Sequence, residues 1–143
     1  MIDINYSLRT AYYTALSGIA GVPVFYNMVP PNVSPTDYIV YRSITNSDAS
    51  TMNSSDTDTQ ITVEIQTFED GLNSGLSADM IAREVFNRIL PNPGATLTLD
   101  GAQMVSTRLL NDITQPPVAQ GNRMYVSRFL TFGHKIFHRS DIS

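Results

Sequence analysis

The chain has no cysteine in its 143 residues. That excludes a disulfide framework, a thiolate metal site and a cysteine nucleophile. Charge is also sparse, 15% Asp, Glu, Lys and Arg against a usual share of about 25%. Such a surface either relies on Ser, Thr, Asn and Gln for solubility or is covered by partners, and we expect the latter. No apolar run approaches the roughly 20 residues that cross a bilayer. The start, Met1-Ile2-Asp3-Ile4-Asn5, lacks the basic and apolar regions of a secretory signal. The expectation is a soluble chain made in a cytoplasm, with no membrane contact. With 42% hydrophobic residues, it reads as one folded domain over 1–143 that buries about two thirds of its unfolded surface.

Lysine and arginine are missing altogether between Ile44 and Ala82, where Asp48, Asp56, Asp58, Glu64, Glu69, Asp70 and Asp79 fall. From Gly101 onward the balance reverses, with Arg108, Arg123, Arg128, Lys135 and Arg139 facing only Asp112 and Asp141. A split of this kind lets the acidic part of one subunit meet the basic part of the next, or leaves two solvated faces. On the first reading the candidate contact residues are Asp48, Asp56, Asp58, Glu69 and Asp70, with Arg108, Arg123, Arg128, Lys135 and Arg139 as their counterparts.

Apolar periodicity sets the elements. Leu8, Ala11, Tyr12, Ala15, Leu16 and Ile19 fall on one face of a helix over 5–18. Asn5 or Ser7 caps its start, and Gly18, Gly21 and Pro23 end it. A short strand, Val24-Phe25-Tyr26, runs into Pro30, Pro31 and Pro35, which lack ladder donors or fix φ and so form an ordered crossover. A strand of aromatic and β-branched residues starts at Tyr38-Ile39-Val40-Tyr41. Ile61, Val63 and Ile65 alternate with Thr62, Glu64 and Gln66, the pattern of a half-buried antiparallel strand. These strands occupy 24–68 as a hairpin whose polar tip, 46–58, reads as a long mobile loop.

After a turn at 69–75, a helix over 77–90 starts at Ser77 and stops before Pro91, with Ile81, Val85 and Ile89 on its apolar face. Strands at 96–99 and 102–110 are joined by the Asp100-Gly101 turn. A loop at 115–122 leads to a closing strand, so that 96–133 is strand-rich and 134–143 is a tail. The order predicts an α+β fold, an antiparallel sheet with both helices on one face.

Chemistry is scarce. His134 and His138 have zinc-like spacing, but no Glu follows His134 and the segment runs out of a strand, so two exposed histidines are expected. Asp56-Thr57-Asp58 lacks the glycine and distal acid of a calcium loop. Glu69-Asp70 are adjacent and point apart in a strand. No nucleophile elbow, P-loop or dinucleotide fingerprint is present. We expect no catalytic residues, no metal and no cofactor.

Several elements occur in a distinctive order: the stripe Leu8–Leu16, Val24-Phe25-Tyr26, Val29-Pro30, Tyr38-Ile39-Val40-Tyr41, Thr62-Val63-Glu64-Ile65-Gln66, the helix Ala78–Leu90, then strands at Leu97, around Val105 and at the close. In that order, from about Leu8 to Phe132, the chain resembles the small tail-completion or tail-terminator proteins of long-tailed bacteriophages. The resemblance implies an α+β subunit that assembles into a ring, typically hexameric, capping the tail tube and joining it to the neck of the capsid. It implies a structural virion role without a reaction, with neighbouring neck or connector and tail-tube proteins as partners and DNA passing without sequence-specific binding. A connector ring of different symmetry, or a small-ligand-binding α+β module, stays open as an alternative.

Overall fold

The computed structural model describes residues 4–32, 37–48, 55–70, 76–90, 97, 99, 102–121 and 123–138. Its elements are α1 (Ile4–Leu16), β1 (Val24–Tyr26), β2 (Tyr38–Asp48), β3 (Ser55–Asp70), α2 (Leu76–Ile89), β4 (Gln103–Thr114), β5 (Val118–Gln120) and β6 (Arg123–His138). One six-stranded sheet runs in the order β1-β2-β3-β6-β4, with β5 also on β6. Both helices cover the same face.

The sheet is mixed, which corrects the expectation of a purely antiparallel one. β1 pairs with β2 in parallel, Val24 beside Ile39 and Tyr26 beside Tyr41. Parallel neighbours need a crossover, and the proline-containing connection after Tyr26 supplies it. It is tied down where Asn27 N–H donates to Tyr41 O at 3.0 Å and Arg42 Nε donates to Asn27 O at 3.2 Å. The remaining pairs are antiparallel.

Alternation along β3 and β6 decides what is buried. Pairs Ile61–Phe132 and Val63–Leu130 face the helices. There they meet Leu8, Tyr12 and Leu16 of α1 and Ala78, Ile81, Ala82, Val85 and Ile89 of α2 in one core. The i, i+4, i+8 spacing puts each helix's apolar residues on a single stripe. Gly18 and Gly21 take φ of +83° and +71° past the end of α1, backbone that glycine adopts without a Cβ penalty. Arg88 of α2 donates to the carbonyls of Ala15 and Ser17 at 3.0 and 2.7 Å, satisfying acceptors that the end of α1 leaves open.

Two further boundaries differ from the sequence reading. The 46–58 loop is shorter: β2 runs to Asp48 and β3 starts at Ser55, leaving 49–54 outside the described residues. Low hydrophobicity pointed to a loop, yet ladder hydrogen bonds to β6 hold this stretch, with Ser55 opposite His138 and Asp58 opposite Lys135. Likewise the 134–143 tail gives way to strand as far as His138, because His134 and Ile136 continue the inward alternation of Leu130 and Phe132. The predicted 96–99 strand and its turn lie mostly outside the described residues, although Leu97 and Leu99 are buried in the core.

Candidate assembly surface

Most residues of the acidic and basic segments distinguished in the sequence fall on β3 and β6, which are neighbours in one sheet. Their register sets Asp58 opposite Lys135, Asp56 opposite Phe137, Glu69 opposite Met124 and Asp70 opposite Arg123. Asp48 lies opposite Thr57 at the far end of β2. The fold therefore brings the two charge blocks side by side within one subunit before any second copy is involved. Arg128 illustrates the consequence. It is bidentate to Asp112 at 3.0 and 2.7 Å and reaches Asp79 on α2 at 2.9 Å, with its guanidinium over the Phe86 ring. Arg108 and Lys135 remain exposed, and Arg139 lies outside the described residues.

On the helix-free face, Asp58, Gln60, Arg108, Leu110, Gly133 and Lys135 line an open depression of about 270 Å³. Gly133 forms its floor. A Cβ there would sit 2.9 Å from Leu110 Cδ1, so the leucine occupies the room that glycine leaves. The contact places Leu110 on the face away from the helices.

β4 is the other distinctive surface. It pairs with β6 from Gln103–Phe137 to Thr114–Arg128, while no described strand pairs with its outer edge. The register slips at Val105 and again at Leu110, the bulges that edge strands commonly carry. Val105, Leu109, Leu110 and Ile113 are between 39% and 52% exposed, and Val118 on β5 is 62% exposed. A 12-residue strand with exposed aliphatic side chains and no described neighbour on its outer side is the kind of edge that can pair with another chain. Sequence reasoning missed it. Leu109-Leu110 reads as core until the strand is known to be an edge.

The histidines correct another expectation. His134 is 2% exposed and sits between α1 and β4. Tyr12 Oη is hydrogen-bonded to its Nε2, and Thr107 Oγ1 is 3.0 Å from its Nδ1. Burial raises the Tyr12 pKa well above its usual 10, so the phenol stays protonated and donates to Nε2. Nδ1 then carries the ring proton and donates to Thr107. Burial lowers the His134 pKa to about 4, which keeps the ring neutral. Among the described residues no group of three His, Asp or Glu side chains is placed to hold a metal.

No protein-family model and no curated sequence matches this chain. Among solved structures, a chain of the "Virion of native gene transfer agent (GTA) particle" superposes with a TM-score of 0.73 at 20% identity. The match covers 96% of this chain and 99% of that one. At that identity it shows a shared fold. A second solved chain, 14% identical over 91% of this chain and 94% of its own, reaches only 0.45 and carries no argument.

Proposed function

We propose that the chain is a structural virion protein of a bacteriophage-type particle, forming a ring at the head–tail junction or tail end. In that position it joins the tail tube to the connector and lets DNA pass without sequence-specific binding. The observation that carries this reading is the end-to-end likeness to a virion chain, since 99% of that chain is matched without a missing domain. The ordered pattern shared with tail-completion and tail-terminator proteins supports the more specific placement. A structural role also agrees with how the described polar groups are used. Tyr12 and Thr107 each bond a ring nitrogen of His134, and Arg128 bonds Asp112 and Asp79.

In this reading exposed Arg108 and Lys135, with Asp58 beside them, contact a ring neighbour or the adjoining layer. Asp48, Asp56, Glu69, Asp70, Arg123 and Arg139 are further contact candidates by their place in the chain. Negative-stain electron microscopy of the purified protein, with native mass spectrometry, tests the proposal. Rings with a central opening are expected. A protein that stays monomeric at every concentration and salt, also with neck and tail-tube proteins added, would overturn it.

A further inference from the structure

Among the described residues, eight of the nine exposed large apolar side chains fall into two groups, with Met80 on α2, 66% exposed, in neither. One group, Val105, Leu109, Leu110, Ile113 and Val118, lies along the β4–β5 edge. A second group, Tyr6, Tyr13 and Met28, is 63%, 55% and 61% exposed and lies at the opposite, β1 edge. Tyr6 and Tyr13 are seven residues apart, two helical turns, and share one flank of α1. That flank faces the β1 edge, because Arg9 beside them holds its guanidinium 4.3 Å from the centre of the Tyr26 ring. Met28 follows directly, its N–H donating to Tyr26 O at 2.9 Å.

We infer that these two edges are the halves of one contact: the β4–β5 edge of one copy docks against the α1–β1 edge of the next. The inference rests on the ring reading and names the surfaces that build it. Two different patches at opposite ends of a sheet make a head-to-tail contact, the kind that closes into a ring when the rotation permits. Their size fits as well. At these exposures each patch presents on the order of 400 Å² of residue surface, about half of the ~800 Å² that each partner buries in a stable complex. The aromatic and methionine side chains on one half are types enriched in interface cores, and the aliphatic edge on the other gives them a surface to cover. A β4–β4 contact would use only one patch and leave the tyrosines in water.

The test uses two double variants of the whole chain, Ile113→Lys with Val118→Lys and Tyr13→Lys with Met28→Lys, measured by native mass spectrometry and sedimentation beside the parent. All four sites are about half or more exposed, so each variant keeps the parent's melting temperature, which is checked first. A lysine desolvated at either half should weaken self-association by about 100-fold or more. Mixed in equal amounts, the variants retain one intact half each and should form a one-to-one pair that grows no further. Parent rings with unchanged rings from both variants would overturn the edge assignment and leave the ring reading standing. Loss of assembly in the β4–β5 variant alone would overturn the pairing of opposite edges. A parent that never self-associates would overturn both, and would give the patches to other virion proteins.

Discussion

β6 and β4 lie side by side in the sheet and share a long antiparallel ladder, yet they have opposite fates. β6 is flanked by β3 on one side and β4 with β5 on the other, and its helix-facing residues Val126, Leu130, Phe132 and Ile136 are all but inaccessible. Among the described strands β4 has a neighbour on one side only, and Leu109, paired with buried Phe132, stays 39% exposed. Equivalent aliphatic side chains thus stabilise the subunit in one strand and remain available to a partner in the next. Position in the strand order, rather than residue type, separates the covered side chains from the exposed ones. The bulges at Val105 and Leu110 sharpen the contrast, because they add apolar residues to a strand that no other described strand flanks on its outer side.

The largest effect should come from the covered side. Val85→Asp puts an unpaired charge at a fully buried site of α2 and should cost about 4 kcal/mol or more. Urea unfolding measures it, and a variant as stable as the parent would show that the helix face is misassigned. Next comes acid. His134 has a folded pKa of about 4 against an ordinary 6.5, so the unfolded chain takes up a proton first as pH falls. Its contribution is therefore complete above pH 6.5 and declines through the window from 6.5 to 4. In total about 3 kcal/mol is lost below it. The pH dependence of stability should be flatter across that window in His134→Gln, and an unchanged slope would refute the assignment.

Smaller again is the Arg128 cluster, which links β6, β4 and α2 at a partly exposed site. A double-mutant cycle of Arg128→Ala with Asp112→Ala should give a coupling of about 1 kcal/mol that shrinks as salt is raised. The smallest effect belongs to the free edge. Ile113→Ser should shift the stability of the isolated subunit by less than about 0.5 kcal/mol, since the side chain is half in water. A loss of 2 kcal/mol or more would mean that β4 supports the core after all.

Much of the architecture was legible beforehand. Leu8, Tyr12 and Leu16 announce α1, Ile81, Val85 and Ile89 announce α2, and Ile61-Val63-Ile65 announce a strand with one wet face, because burial on one side imposes a period on the residues. The same rule failed at two places. Thr59 and His134 are polar residues at inward positions of paired strands, 1% and 2% exposed, and they broke the apolar pattern just where the strands continue. The two ends of the 46–58 stretch, 46–48 and 55–58, are strand for a related reason: backbone pairing needs no apolar side chains, so composition does not reveal it.

The residues by themselves determined the two helices and their inward faces, the alternating strand at Ile61–Ile65 and the absence of cysteine chemistry, since each of these depends on neighbours within a few positions along the chain. Only the tertiary structure decided which strands are central and which is the edge, that β1 runs parallel to β2, and that the acidic and basic blocks lie together. Those facts depend on pairings between residues about 15 to more than 70 positions apart, such as Val24 with Ile39 and Asp58 with Lys135. A strand's own residues define the surface it can bury, but whether that surface is buried depends on the strands beside it.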